Sequence, residues 1–184
     1  MKNRFLALLV AGALGIVALH VQANSNIKER GGVFYLSKNA TVQDVAEFYW
    51  RSLDGWSENP EQVAKYFTPR GRFELPYAPV DDFPMFSTVN EGREAITGYF
   101  TGLSQTLGNL RYSDWRGWKQ YATSEPGLYL FEYTSSGVIR ATGGEYHQQF
   151  IATVKIKNGQ IAVAHEYWNP YVVLRDLNLI RKVN

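Results

Sequence analysis

The chain of 184 residues contains no cysteine and three histidines, His20, His147 and His165. Without thiols, disulfide bridges and thiolate metal sites are excluded. The scattered histidines do not have the spacing of a transition-metal site, so we expect no metal. Glycine-rich phosphate loops and a nucleophile elbow are also missing, which leads us to expect a protein without a cofactor.

The sequence lacks an excess of either charge. Lysine and arginine number 19 and aspartate and glutamate 17, which gives a formal net charge of +2, and no basic block stands out. Nothing therefore indicates nucleic acid or an anionic membrane as a partner. Repeats are not apparent either, and the length fits one domain.

A long apolar run occurs near the N-terminus. Lys2 and Arg4 precede the apolar residues Phe5 to Leu19, and Val21-Gln22-Ala23 follows as a small-x-Ala cleavage site. This pattern predicts a secretory signal peptide over residues 1–23, and hence a periplasmic or secreted protein that leaves the membrane once the signal is removed. A retained anchor is the alternative, although the run is short for a spanning helix.

Aromatic residues are plentiful, with 5 Trp, 12 Tyr and 10 Phe. Aromatic side chains fill cores first, and the surplus lines pockets or interfaces. Residues 24–40 show no clear periodicity, so we interpret them as a flexible lead-in whose residues 33–36 dock on the domain. The domain itself is predicted over residues 41–184.

Helical patterns precede strand patterns along this domain. The predicted helices are the first from the capping-box-like Thr41-Val42-Gln43-Asp44 to residue 54, a short one over 59–67, and a third from 91 to 108. A short strand over 72–75, longer strands over 110–121 and 128–140, and a helical turn over 172–179 complete the pattern. Three helices on one face of a curved antiparallel sheet make an α+β domain.

Asn158-Gly159 is the strongest turn signal, because Asn-Gly supplies the positive φ angles of a two-residue type I′ hairpin. An uninterrupted register places Glu166 opposite Ile151 and Trp168 opposite Gln149. These residues then share a mixed face with Ala164 and His147, while the other face is nearly all apolar and must be buried against helices or another subunit. A bulge would reverse the two faces.

Three stretches resemble the nuclear transport factor 2-like superfamily. They are residues 66–76 (YFTPRGRFELP), residues 91–96 (EGREAI) and the final Glu166-Tyr167-Trp168. The sequence is most similar to the SnoaL-like group, which includes ketosteroid isomerase, polyketide cyclases and the phenazine biosynthesis A/B proteins. The resemblance implies a cone-shaped barrel, with a pocket between helices and concave sheet, and a homodimer through the convex face. Trp168 then lines the pocket, together with Glu166, Ala164, Ile151 and Gln149.

The resemblance also assigns roles, residue by residue. Tyr49 matches the oxyanion donor of ketosteroid isomerase, but Leu75 stands where that enzyme has its general base and cannot take a proton. The second oxyanion donor falls near Ala152, so steroid-type isomerisation is not expected. Glu166 matches the acid/base glutamate of the phenazine-type proteins, whose histidine falls near Tyr99.

The catalytic candidates are therefore Glu166, Tyr49 and His147, with His147 on the Glu166 side of the hairpin. Glu166 in a pocket would have a raised pKa and work as an acid or base near neutral pH. The structural alternative is that Glu166 faces solvent or pairs with Arg111 or Arg116.

The function that we expect is binding of a small apolar or aromatic molecule in the pocket. If the protein is an enzyme, it is a cofactor-independent isomerase, cyclase or dehydratase. The other hypothesis is a non-catalytic ligand-binding or dimeric interaction module, which Leu75 favours because the usual base is lost.

Overall fold

The computed structural model describes residues 26–84 and 86–180. The predicted signal peptide and its cleavage site lie outside these residues. The helices and strands in chain order are β1 (Ile27–Arg30), β2 (Val33–Leu36), α1 (Val42–Leu53), a 3-10 helix (Pro60–Tyr66), β3 (Phe67–Glu74), β4 (Val89–Glu91), α2 (Gly92–Ser104), β5 (Leu107–Tyr112), a 3-10 turn (Trp115–Gly117), β6 (Lys119–Ala122), β7 (Leu128–Ile139), β8 (Glu145–Lys157), β9 (Gln160–Trp168) and α3 (Pro170–Asp176).

The first helix, α1, begins with the capping box that its sequence predicts. The Thr41 side chain accepts a hydrogen bond from the Asp44 N–H at 3.3 Å, and the Asp44 carboxylate accepts one from the Thr41 N–H at 2.7 Å. The helix buries Phe48, Tyr49 and Leu53. The cap therefore fixes the start of the helix that carries Tyr49 into the core.

Seven strands of the described residues form one sheet in the order β4-β3-β9-β8-β7-β5, with β6 pairing to β7. All neighbours are antiparallel except β3 and β9, which are parallel. The helices α1 and α2 pack against the sheet, and we call the side that they cover the inner face. This is the α+β architecture that the sequence predicts.

The β8–β9 hairpin turns at Asn158-Gly159 as predicted, since both residues have positive φ angles of 53° and 77°. Lys157 pairs with Gln160 as expected, but the register then shifts. One step along β8 is matched by two steps along β9, so Ala162 is an extra residue, which is a β-bulge. Beyond Ala162, the register predicted for an uninterrupted hairpin is wrong by one residue.

The bulge changes which side chains share a face. Glu166 lies opposite Ala152, and Trp168 lies opposite Phe150. The apolar residues of β8 thus join Glu166 on the inner face, instead of forming a separate apolar face. Ile151 lies on the opposite, outer face and is 45% exposed.

The segment before α1 forms a hairpin, β1–β2, which the sequence does not predict because its strands are only four residues long. The Leu36 N–H donates to the Gly159 carbonyl at 2.7 Å, and the Phe34 ring stacks on Tyr66 with centroids 4.5 Å apart. The hairpin is therefore held at the turn between β8 and β9.

Gly159 is required for this contact, and we expect Gly159→Ala to destabilise the fold. A Cβ at Gly159 would lie 2.6 Å from the Leu36 carbonyl oxygen, on a residue whose φ is already +77°. Gly143 is a matched control, since its φ is +69° but a Cβ there meets nothing within 4 Å. Urea denaturation should show a larger loss of unfolding free energy for Gly159→Ala than for Gly143→Ala, by about 1–3 kcal/mol. Equal losses would show that the hairpin contact does not constrain this position.

Candidate functional site

A cavity of about 310 Å³ lies between the inner face of the sheet, α2 and α3. Its size is at the lower end of the range of about 300–1,000 Å³ for small-molecule sites. Most of its wall is apolar or aromatic, and this part comprises Trp56, Phe73, Leu75, Phe86, Phe100, Leu103, Leu107, Leu110, Phe150, Trp168, Val173 and Leu177. The residues with polar side chains are Tyr99, Thr106, Tyr112, Tyr146 and Glu166. Among the described residues, no lysine, arginine or histidine lines the cavity.

Glu166 projects from β9 into this apolar surrounding and is only 6% exposed. Its Oε1 accepts a hydrogen bond from the Tyr133 hydroxyl at 2.5 Å and a second from the Tyr49 hydroxyl at 3.3 Å. No hydrogen bond from another described residue reaches Oε2. Since Glu166 lines the cavity, Oε2 is the oxygen available to a ligand.

Burial raises the pKa of Glu166 to about 7, because a charged carboxylate is costly to desolvate. The hydrogen bonds from Tyr133 and Tyr49 act in the opposite direction and limit the rise. Near neutral pH, both the protonated and the ionised forms of Glu166 are therefore populated. A group in this condition can both give and take a proton.

The tyrosines around Glu166 stay protonated. Burial raises the pKa of Tyr49, Tyr133 and Tyr112 well above the usual value of 10.0, and the nearby Glu166 charge raises it further. The pKa of Tyr99 and that of Tyr146 are also raised, again mainly by burial. Three of these tyrosines line the cavity, namely Tyr99, Tyr112 and Tyr146. Their hydroxyls can thus donate hydrogen bonds to an oxygen of a ligand.

The structure brings several of the predicted site residues together. Trp168, Tyr99 and Leu75 line the cavity with Glu166. Tyr49 is fully buried and lies beside the Glu166 carboxyl, although it is not in the cavity wall. Ala164 is buried on the inner face of β9 but packs in the core instead of lining the cavity.

Three predicted residues lie elsewhere. Gln149 and Ile151 are exposed on the outer face and do not line the cavity, so their assignment to the pocket is wrong. His147 is also exposed and lies 3.4 Å from Glu145, so its predicted place on the Glu166 side of the hairpin is wrong. The extra residue at Ala162 is the physical reason, because it moves every odd-numbered residue of this part of β8 away from Glu166.

The two arginines considered as ion-pair partners of Glu166 pair with other carboxylates. Arg111 lies 3.1 Å from Glu58, and Arg116 lies 3.1 Å from Asp114. Glu166 is thus neither a solvated carboxylate nor half of an ion pair with either arginine.

Tyr133 is the most important residue that sequence reasoning missed. It reaches Glu166 because Tyr133 pairs with Phe150 across β7 and β8, on the inner face. The sequence of a strand shows only that its side chains alternate between two faces. The pairing of Tyr133 with Phe150 depends on the register between two strands, which is a long-range property. Phe150 was missed for the related reason that the predicted hairpin register put it on the other face.

Tyr133→Phe is expected to raise the pKa of Glu166 above its value of about 7, since the Tyr133 hydrogen bond lowers that pKa. A hydrogen bond to a charged group contributes about 1.5 kcal/mol, which corresponds to a rise of about 1. Carbon-13 NMR of labelled glutamate side chains across pH 5–9 measures it. Tyr112→Phe is the control, because Tyr112 also lines the cavity but its hydroxyl accepts a hydrogen bond from Trp56 and is not among those that hold the Glu166 carboxyl. An unchanged Glu166 pKa in Tyr133→Phe would contradict this role.

The described residues contain no group of three or more His, Cys, Asp or Glu side chains placed to hold a metal ion. Among the helices of residues 26–84 and 86–180, none is both long enough and apolar enough to cross a membrane.

Comparison with known proteins finds both related sequences and related folds. The sequence profile of the SnoaL-like domain matches residues 45–164. An uncharacterized PhzA/B-like protein of Pseudomonas aeruginosa is 34% identical over 104 residues, or 56% of this chain and 68% of the relative. A second relative, the uncharacterized protein YesE of Bacillus subtilis, is 28% identical over 101 residues, or 55% of this chain and 64% of its own length.

Solved structures show the fold. A putative isomerase from Bacillus subtilis superposes with a TM-score of 0.64 at 21% identity, covering 76% of this chain and 96% of that one. A putative polyketide cyclase from Xanthomonas campestris superposes with a TM-score of 0.57 at 15% identity, covering 74% and 96%. The cone-shaped fold of the nuclear transport factor 2-like proteins is thus the fold described above, and this chain belongs to the SnoaL-like domain family.

Proposed function

We propose that this protein binds a small, uncharged apolar or aromatic molecule in the cavity and that Glu166 moves a proton on it without a cofactor. The observation that carries the proposal is the Glu166 carboxyl. It is buried, its Oε1 is held by two tyrosine hydroxyls, and its Oε2 is left for a ligand. Its pKa of about 7 suits proton transfer near neutral pH.

The charges of the wall support an uncharged ligand. A carboxylate or phosphate in this cavity would lie beside Glu166 with no described cationic side chain to compensate it. Burying an unpaired charge is costly. The aromatic side chains of the wall instead favour a ring system, which contributes a large apolar area on burial.

The chemistry would proceed in two steps at one carboxyl. The ionised Oε2 takes a proton from a carbon next to a carbonyl group, while a tyrosine hydroxyl of the wall donates to the carbonyl oxygen. The protonated Glu166, whose proton exchanges with solvent, then gives a proton to a different carbon of the conjugated enol, which shifts the double bond and isomerises the molecule. Tyr49 and Tyr133 stabilise the ionised form of Glu166 before the first step and after the second. The fold shared with a putative isomerase and a putative polyketide cyclase is compatible with this class of reaction.

The second candidate is a binding protein without catalysis. Leu75 lines the cavity and cannot take a proton, so Glu166 is the one carboxyl among the described residues of the wall. A cavity that only holds its ligand would use Glu166 as a hydrogen-bond donor.

The two candidates differ in a single experiment with 2-tetralone, an uncharged two-ring ketone. NMR in D₂O reports binding from shifted protein signals and catalysis from exchange of the ketone's α-hydrogens. The proposal expects both binding and exchange faster than in buffer. Binding without faster exchange would support the binding protein. The absence of both binding and faster exchange would contradict an uncharged-ketone ligand.

Export and dimerisation also remain our proposals. We propose that residues 1–23 are removed on export, which the mass of the mature N-terminal peptide measures.

We propose that two copies associate through the outer face, where Tyr77 is 65% and Ile151 is 45% exposed. Light scattering gives the mass of the particle in solution, and a monomer would contradict the dimer.

A further inference from the structure

Gly98 and Gly102 lie one helical turn apart on α2, and both line the cavity. They differ from the other described residues of the wall, which are buried or half-buried, whereas these two are exposed. A residue that lines a cavity and also faces solvent lies at its opening. The cavity therefore opens along the Gly98–Gly102 side of α2.

Neither packing nor backbone conformation requires glycine at these two positions. A Cβ at Gly98 or at Gly102 would meet nothing within 4 Å. Neither residue has a positive φ angle. Gly137 shows the contrast, since a Cβ there would lie 2.9 Å from the Gly108 carbonyl oxygen.

Glycine inside a helix is unfavourable. Each interior glycine lowers the equilibrium for helix formation about fivefold relative to alanine. The helix α2 carries two of them on the side where the cavity opens, with the half-buried wall residues Tyr99 and Leu103 directly after them. The missing side chains at Gly98 and Gly102 leave open space at the mouth of the cavity.

We propose that Gly98 and Gly102 form the entrance through which the ligand reaches the cavity, and that side-chain bulk at these positions limits which molecules enter. This inference rests on the proposed function, in that the cavity takes up a ligand from solvent. It does not depend on proton transfer by Glu166. The two glycines are thus specificity-determining residues rather than catalytic ones.

The absence of cysteine makes the entrance directly measurable. Leu110 lines the cavity and is 1% exposed, so Leu110→Cys places the chain's one thiol inside the cavity wall. N-phenylmaleimide, an uncharged molecule of two rings, must enter the cavity to react with this thiol. The increase in protein mass with time, followed by mass spectrometry, gives the rate of entry.

The test compares this rate among entrance variants. We expect Gly98→Leu combined with Gly102→Leu to slow labelling at least tenfold, and each single leucine variant to slow it at least threefold. Thr101→Leu is the matched control, since Thr101 is exposed on α2 but does not line the cavity, and its rate should change less than twofold. Gly98→Ala with Gly102→Ala adds only methyl groups, and should raise the urea midpoint while leaving labelling nearly unchanged.

Equal labelling rates in the leucine variants and in the parent would overturn the entrance, as would equal slowing by Thr101→Leu. The same conclusion follows if the thiol in the parent reacts only after global unfolding. Circular dichroism identifies a leucine variant that has lost its fold, in which case the single variants decide. Labelling does not need an ionisable Glu166. If the labelling rates follow the expectation but the α-hydrogens of 2-tetralone do not exchange, only the catalytic proposal is contradicted.

Discussion

Glu166→Gln is expected to slow exchange of the α-hydrogens of bound 2-tetralone by about 10²–10⁴-fold, the usual contribution of a positioned acid or base. Glutamine keeps the size of the side chain and can still accept the Tyr133 and Tyr49 hydrogen bonds through its carbonyl oxygen. It cannot take up a proton at neutral pH. The substitution therefore removes the proton transfer while leaving the cavity in place.

Proton NMR in D₂O measures this effect as the decay of the α-hydrogen signal. The affinity for 2-tetralone, taken from the same titration, should change far less than the exchange rate. Glu132→Gln is the control, because Glu132 lies in the same sheet but pairs with Lys119 at the surface. An exchange rate in Glu166→Gln equal to that of the parent would remove Glu166 from the mechanism.

The second large effect concerns stability and pH. The pKa of Glu166 is about 7 in the folded protein, against a usual value of 4.5 that applies to the unfolded chain. Because the folded pKa is the higher one, folding favours the protonated form. This contribution to stability is fully present below about pH 4.5 and is lost as the pH rises through 7. The difference between the two pKa values corresponds to about 3 kcal/mol.

We therefore expect Glu166→Gln to be about as stable as the parent at pH 5, and about 3 kcal/mol more stable at pH 9. Urea denaturation of both proteins at the two pH values measures the difference directly, and other titrating groups cancel in the comparison. A stability difference that does not change between pH 5 and pH 9 would show that Glu166 titrates in the folded protein as it does in water.

Sequence reasoning was most accurate where the determining interactions are local. The capping box at Thr41 and Asp44 and the turn at Asn158-Gly159 each depend on residues that are neighbours in the chain, and both are observed. The class of fold follows from the order of helical and strand patterns. These features require no knowledge of what packs against them.

The bulge at Ala162 shows where such reasoning ends. Nothing in the residues around Ala162 announces an extra residue, since alanine is compatible with a regular strand. The strand gains from it, because Ala164 and Trp168 then lie on the inner face with Phe150, Ala152 and Val154. This gain depends on the helices that cover the inner face, which no local pattern contains.

The predictions of site residues were likewise right for some residues and wrong for others. The family resemblance indicated Glu166, Trp168, Tyr99 and Leu75 as cavity residues, because it compares whole folds. Pairing rules for an ideal hairpin supplied the neighbours of Glu166, and these were wrong for Ile151 and Gln149. Tyr133 could have been found only with the β7–β8 register in hand.

The bulge at Ala162 also bears on how roles are transferred between members of this family. Two chains that align at Glu166 but differ by one residue in the strand before it would present that carboxyl to opposite sides of the sheet. In one chain it would be a surface charge with an ordinary pKa, and in the other a buried acid at a cavity. An aligned glutamate thus identifies an acid/base residue only together with the strand length that aims it.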